Sequence, residues 1–277
     1  ILTLLNYSGL RLFNSLNMSM TLVSGGGFLP TDSINKIIST NFQKIIFIFS
    51  LILSMLNFYL LLNLLKKNIL IKEHREDLYL IILSIILCIL IYFNNYQGLD
   101  IIISVVSSLA NSGLTLVKSD NNLSLYFLLI TIIGGSIISN TSGIKLTRFY
   151  ILLKITSSEI IKLISPNSVI NKTIFNSDKK ISDDNIKISF LIFISFFLSL
   201  FILSSFLVID NLGFEKSFKL SILTLTNTVN SEMFNMQNIN FSNLLTSSKI
   251  SLILFMIIGK IELISIFLIF KKIIFKD

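Results

Sequence analysis

Long apolar runs separated by short polar stretches dominate the chain, and they predict membrane-spanning helices. The runs cover residues 44–65, 78–93, 123–153, 186–209 and 250–270. At about 1.5 Å per residue, their lengths suit a hydrocarbon core of about 30 Å. The third run is interrupted by GGSIISNTSGIK, and the fifth contains Gly259, Lys260 and Glu262.

Three shorter apolar segments, at 10–22, 99–110 and 215–225, are each predicted to form a helix of about three turns. Each one is followed by a polar loop. The first loop is VSGGGFLPTD, the second is NSGLTLVKSD and the third is TNTVNSEMFN. A long apolar run follows every loop, so the order of short helix, loop and long helix repeats along the chain, which is an internal repeat.

Polar loops between apolar segments at membrane depth need partners for their backbone groups. Irregular backbone is tolerated there only when it is buried in protein or lines a watery cavity. The repeat therefore predicts three re-entrant units around a shared aqueous path. A second interpretation stays open on the pattern alone, in which the short helices lie at the membrane interface and the loops lie outside the membrane.

The composition agrees with lipid as the solvent, because the chain is 53% hydrophobic and only 14% charged, whereas a soluble domain is about 25% charged. The net charge of +8 could suggest nucleic acid. Most Lys and Arg residues, however, fall on the side opposite the polar loops, which indicates a cytoplasmic side. We therefore predict loops that enter from outside, and no nucleic-acid partner. Cys88 is the single cysteine and excludes a disulfide within one chain. His74 lies in the charged turn KEHRED, at 72–77, and is interpreted as a solvated turn residue.

A short helix that points its C-terminus at the membrane centre places about half a negative charge there, which favours a cation. The loop after it can supply backbone carbonyls that replace the water shell of the ion. Such loops need residues that tolerate positive φ, which explains the glycines of the first two loops. In the third loop Asn230 stands at the equivalent position, and Asn is the non-glycine residue that best tolerates this conformation.

Several segments resemble the Trk/Ktr/HKT superfamily of potassium transporters, particularly its TrkH and KtrB membrane subunits. SMTLVSGGGFLPTDS is similar to the family's second filter, and SVVSSLANSGLTLVKSD is similar to its third. Two longer matches are more specific. IIGGSIISNTSGIKLTRFYILLK resembles GGCxGSTAGGIKxxRxxxLxK, and KISLILFMIIGKIELISIFLIF resembles KWxLxxxMLLGRLExxxxLxLF. The resemblance extends from Leu10 to Phe275 and implies that a further helix, pore helix and filter precede Ile1.

The resemblance implies a selectivity filter and a gate, with potassium held by filter backbone carbonyls and no cofactor in this chain. The implied filter residues are Gly25, Gly26, Gly27, Asn111, Ser112, Gly113, Thr228, Val229 and Asn230. The implied gate residues are Ser139, Asn140, Thr141, Ser142, Gly143, Lys145, Lys260 and Glu262. In the third loop Asn230, Ser231 and Glu232 replace Gly-Pro-Gly of the family, so a side chain stands where bare backbone is expected.

Two features of the implied gate have a second interpretation. The stretch 136–143 is either an intramembrane loop below the filter or part of a helix that is kinked at Gly134 and Gly135 for packing. Lys260 and Glu262 either face the ion path or snorkel to the membrane boundary.

The predicted fold class is an all-α polytopic membrane protein, with helix, pore helix, filter loop and helix units around a pseudo-fourfold pore. The predicted divisions are 1–66, 67–154, a cytoplasmic linker at 155–187, and 188–277. The resemblance implies potassium uptake across a bacterial cell membrane, a homodimer, a lipid bilayer around it, and a cytoplasmic nucleotide-binding regulator of the TrkA/KtrA kind. A non-conducting subunit of a cation transport complex is the alternative. An intramembrane enzyme is disfavoured, since the sequence has no Ser/His pair or paired-carboxylate site at membrane depth.

Overall fold

The computed structural model describes residues 1–31, 33–65, 75–93, 98–116, 121–165, 173–176, 180–229, 232–236, 239 and 241–261. Four residues singled out in the sequence, His74, Asn230, Ser231 and Glu262, lie outside this part of the chain.

The described residues form α-helices joined by short irregular segments and single 3₁₀ turns, and no strand occurs among them. The helices are α1 (Leu2–Tyr7), α2 (Leu12–Ser24), α3 (Asn41–Met55), α4 (Phe58–Leu65), α5 (Arg75–Tyr92), α6 (Leu99–Leu109), α7 (Asn121–Ile133), α8 (Leu146–Ile164), α9 (Asp183–Ile209), α10 (Phe214–Leu225) and α11 (Thr246–Ile261).

The three short helices that the sequence predicts are present as α2, α6 and α10, within two residues of their expected bounds. The apolar runs that follow are α3 with α4, α7 with α8, and α11. Neighbouring units pack against each other. Helix α3 of the first unit contacts α6 of the second, and α10 of the third unit contacts α7 of the second as well as α9, which precedes it. The repeat of short helix, loop and long helix therefore exists in the fold.

The first long run differs from its prediction, because the structure breaks it in two. Helix α3 begins with a capping box, in which Thr40 accepts from the Gln43 N–H, and it ends at Met55. The backbone then turns at Leu56 and Asn57 before α4 begins at Phe58. No glycine or proline marks this break; the partners that stabilise it come from α5 and from the segment before α8.

Helix α9 shows how the sequence suits a lipid environment. Among the described helices it is the one long and apolar enough to cross a membrane by length and composition. Phe190, Leu191 and Phe201 are exposed on its outer face. Its buried face carries Ser195 and Ser199, whose hydroxyls donate to backbone carbonyls three residues earlier in the same helix. Small residues on the inward face let neighbouring helices approach, as in membrane helix packing.

Candidate functional site

The three short helices end in the same way, although their sequences differ. Each is followed by one residue in the left-handed conformation: Gly25 with φ 66°, Asn111 with φ 55° and Asn227 with φ 51°. Helices commonly end at a residue in this conformation, which is usually Gly and sometimes Asn. The next N–H in each loop bonds back to the carbonyl five residues earlier: Gly26 to Thr21, Ser112 to Ser107 and Thr228 to Leu223.

Hydroxyl groups hold each loop against the helix that precedes it. The Thr21 hydroxyl donates to the Phe28 carbonyl at 2.5 Å. In the second loop Ser107 and Ser112 share a hydrogen bond of 2.9 Å between their hydroxyls. Thr226 and Thr228 do the same in the third loop, also at 2.9 Å. These bonds fix the loop backbone without a charged group.

The three loops meet one another, and the contacts centre on two glycines. A Cβ atom added to Gly27 would clash with the Ser112 carbonyl oxygen and lie 2.6 Å from Val229 Cγ2. A Cβ atom added to Gly113 would lie 2.8 Å from both Thr228 Cγ2 and the Val229 carbonyl oxygen. Both glycines also have positive φ, 64° and 68°. Any side chain at either position would therefore be strained and would collide with a neighbouring loop.

The third loop departs from the other two after its cap. Counted from the left-handed residue, Val229 stands where the first two loops have Gly27 and Gly113. Val229 is not among the described residues with positive φ, as expected for a β-branched side chain. Its side chain packs against Gly27 instead. Asn230, which the sequence comparison aligned with these glycines, lies outside the described residues.

The predicted interruption between α7 and α8 is present as non-helical backbone from Gly134 to Lys145, here named the intramembrane segment. The segment folds back on α7, because the Ile144 N–H donates to the Ile132 carbonyl at 3.0 Å. A Cβ atom on Gly143 would lie 2.8 Å from that same oxygen. The segment is therefore a folded loop, which excludes the alternative of a continuous helix kinked for packing.

Lys145 lies inside the intramembrane segment with only 3% of its surface exposed. Its ammonium donates to the Ser139 carbonyl at 3.2 Å, to the Thr141 hydroxyl at 3.2 Å and to the Thr141 carbonyl. The Thr141 hydroxyl also accepts from the Gly135 N–H at 2.9 Å. A buried ammonium is costly unless it is hydrogen-bonded, and these acceptors meet that need.

Lys260 joins the intramembrane segment to the first loop. Its ammonium donates to the Ser24 carbonyl at 2.8 Å and to the Asn140 carbonyl at 2.5 Å. Ser24 is the last residue of α2, so its carbonyl belongs to the electronegative end of that helix. The Asn140 side chain donates to the Val23 carbonyl at 2.7 Å. The structure thus brings Lys260 and Asn140 together next to Gly25, whereas Glu262 lies outside the described residues.

Two residues that the sequence analysis assigned to a charged turn hold the other side of this site. Glu76 accepts the Ile137 N–H at 2.9 Å, and Asp77 accepts the Asn57 N–H at 2.9 Å. Asp77 is only 1% exposed.

A cavity of about 590 Å³ lies beside the intramembrane segment. It is lined mostly by aliphatic side chains, among them Leu53, Leu56 and Ile138, together with Asn140. The cavity therefore meets the segment at the residue that binds Lys260 and α2.

Comparisons with known proteins agree with this arrangement. No family model matches the chain. A curated sequence described as an uncharacterized cation transporter from Methanocaldococcus jannaschii is 26% identical over 294 aligned residues, which cover 99% of this chain and 56% of that protein. Among solved structures, the potassium transporter TrkH from Vibrio parahaemolyticus matches with a TM-score of 0.84 and 18% identity, over 97% of this chain and 60% of that one.

This chain has the TrkH fold. The resemblance to TrkH/KtrB-like membrane subunits and the all-α membrane-protein class predicted from the sequence are both confirmed. The chain spans somewhat over half the length of each of these two proteins. The roles of the filter and gate residues on the TrkH fold stay predictions, although the structure brings most of them together.

Proposed function

We propose that the protein passes monovalent cations, potassium in particular, across a cell membrane along a path where the first, second and third loops meet. The intramembrane segment then acts as the gate of this path. The two matched proteins support transport rather than catalysis, since one is named a potassium transporter and the other a cation transporter. They also disfavour the alternative of a non-conducting subunit.

The observation that carries the proposal is the meeting, at Gly27, Gly113 and Val229, of the three loops that follow the C-termini of the short helices. Each of α2, α6 and α10 contributes about half a negative charge at its C-terminal end. The loops that follow carry backbone carbonyls, and hydroxyl groups hold their backbone. Dipoles and carbonyls without a full negative charge suit a weakly held monovalent cation that must also leave.

The proposed gate rests on the position of Lys260. Its ammonium binds the carbonyl end of α2 at Ser24 and the intramembrane segment at Asn140. A cation that leaves the loops would meet this fixed positive charge and the segment next to it. Opening then requires that Lys260 or the segment move away from α2.

The wider assembly also belongs to the proposal. The apolar exposed face of α9 supports a lipid bilayer around the chain, and the likeness to TrkH supports a cell membrane. Multi-pass insertion, a bacterial source, a homodimer and a nucleotide-binding regulator of the TrkA/KtrA kind stay predictions from the sequence resemblance.

Radioactive rubidium uptake by potassium-auxotrophic cells that express the complete gene tests the proposal. We expect rescue of growth and uptake by the wild type and loss of both with Gly113→Ser, since the new Cβ would press on Thr228 and Val229. Gly213→Ser is the matched control, because a Cβ atom there meets no atom within 4 Å. Absence of rescue, or rescue that Gly113→Ser leaves unchanged, would instead support the non-conducting subunit.

A further inference from the structure

Helix α5 begins with two carboxylates that each bind a different break in the helical backbone. Glu76 accepts the Ile137 N–H of the intramembrane segment, and Asp77 accepts the Asn57 N–H between α3 and α4, both at 2.9 Å. Asn57 is 20 residues from Asp77 in sequence, and Ile137 is 61 residues from Glu76. The first turn of α5 thus binds two segments that are distant from it in sequence.

The two breaks also bind each other. The Ser136 N–H donates to the Met55 carbonyl at 3.1 Å, and the Phe58 N–H donates to the Ile138 carbonyl at 2.9 Å. The start of α5, the turn between α3 and α4 and the intramembrane segment therefore form one hydrogen-bonded junction. The Asn140 contact with Lys260 lies three residues beyond Ile137 in the same segment.

We propose that Glu76 is a positioning residue that holds the intramembrane segment in its place beneath the first loop. This inference rests on the proposed function and adds to it the residue that sets the equilibrium of the gate. A backbone N–H that donates to a carboxylate forms a stronger bond than one that donates to a neutral oxygen. Glu76 supplies such a bond to Ile137 from α5, outside the segment itself. Asn140 is meanwhile held from α11 by Lys260.

The position of Glu76 distinguishes it from its neighbour. Asp77 is almost fully buried and binds the turn between α3 and α4, so its loss would affect that turn first. Glu76 binds the segment that has to move in the proposed mechanism. Its removal should therefore release the segment while the packing of α3, α5 and α6 remains.

Hydrogen–deuterium exchange of the purified full chain in lipid nanodiscs tests the positioning role without any transport measurement. In Glu76→Ala we expect peptides that cover 136–143 to exchange about tenfold faster, the change expected from loss of one charge-assisted hydrogen bond. Glu76→Gln keeps an acceptor oxygen without the charge and should restore part of the protection. Asp183→Ala is the matched control, since Asp183 is an exposed acid in the first turn of α9.

Rubidium uptake by cells then tests the effect on the gate. We expect Glu76→Ala to raise uptake at least about twofold over wild type at equal protein amount, by shifting the gate equilibrium, and Glu76→Gln to return it toward wild type. Unchanged exchange at 136–143, or faster exchange together with unchanged or lower uptake in an active wild type, would overturn the proposal. If the wild type carries no rubidium but Glu76→Ala still exchanges faster, the transport function fails while the positioning role stands.

Discussion

The ammonium of Lys260 donates to the backbone carbonyl of Asn140 at 2.5 Å, across 120 residues of sequence. The same ammonium reaches the Ser24 carbonyl, and the Asn140 side chain reaches the Val23 carbonyl. Helix α11, the intramembrane segment and the end of α2 are therefore tied together at one point. In the mechanism that we propose, this point lies where the end of the ion path meets the gate.

Replacement of Lys260 by Gln should raise rubidium uptake severalfold. The change removes the fixed positive charge near the carbonyl end of α2 and weakens the bond to Asn140. A permeant cation then no longer has to pass a like charge at this point. Uptake by potassium-auxotrophic cells, at equal amounts of membrane protein, measures the effect.

Lys249→Gln provides the control for that experiment, since Lys249 lies on the same helix and its ammonium donates to the Ser242 carbonyl instead. Lys260→Arg should stay close to wild type because it keeps the charge. Equal uptake by Lys260→Gln and wild type would show that this lysine does not limit transport.

A side chain at Gly259 should destabilise the fold. Its added Cβ atom would clash with the Leu225 carbonyl oxygen, where α10 and α11 approach closely. Overpacking of this kind costs about 1–3 kcal/mol, so Gly259→Ala should lower the unfolding midpoint in detergent. Gly213→Ala should change stability little, because its Cβ meets no atom within 4 Å. A Gly259→Ala protein as stable as the wild type would contradict the close approach of the two helices.

Asn111 should be replaceable by glycine at lower cost than by alanine. It has φ 55°, it is 1% exposed, and its side-chain amide donates to the Thr131 carbonyl at 2.9 Å. Asn111→Gly loses that bond, about 1 kcal/mol, but keeps the backbone freedom. Asn111→Ala loses the bond and adds a further cost of about 1–2 kcal/mol for left-handed backbone. Thermal unfolding of both variants measures the difference, and equal stability would exclude the left-handed conformation at this residue.

The pattern of apolar and polar residues predicts most of the helices because burial and lipid exposure act on long stretches of sequence. Helices α2, α6 and α10 lie within two residues of their predicted bounds. The interruption before α8 was also predictable, since its glycines and small polar residues mark non-helical backbone. These features depend on local composition, which a single sequence displays.

Features that depend on partners distant in sequence were not predictable. The break at Leu56 and Asn57 has no local signal, because Asp77 and Ile138 supply its hydrogen bonds. For the same reason Glu76 looked like an ordinary residue of a charged turn. Its partner is 61 residues away, so the apolar and polar residues around Glu76 do not indicate the contact.

The loop caps were only partly predictable. The sequence analysis assigned the left-handed tolerance of asparagine to Asn230, whereas Asn111 and Asn227 are the asparagines that adopt that conformation where the short helices end. Asparagine one or two residues after an apolar helix is a known C-terminal signal, and it could have identified Asn227. Its side chain donates to the Met256 carbonyl at 2.8 Å, which connects the third loop to α11.

Lys145 should contribute more to stability than Lys162, an exposed lysine on the helix that follows it, α8. The Lys145 ammonium donates hydrogen bonds to the Ser139 and Thr141 carbonyls. In Lys145→Met these oxygens lose that donor. A buried acceptor that loses its partner costs about 1–3 kcal/mol, so the unfolding midpoint should fall and peptides covering 139–141 should exchange faster. Lys162→Met is the matched control on α8, where Lys162 pairs with Glu159 at the surface, and such pairs contribute about 0–1 kcal/mol. Equal losses in the two variants would mean that the Lys145 ammonium does not hold the segment, and its closure would then depend on Glu76 and Lys260.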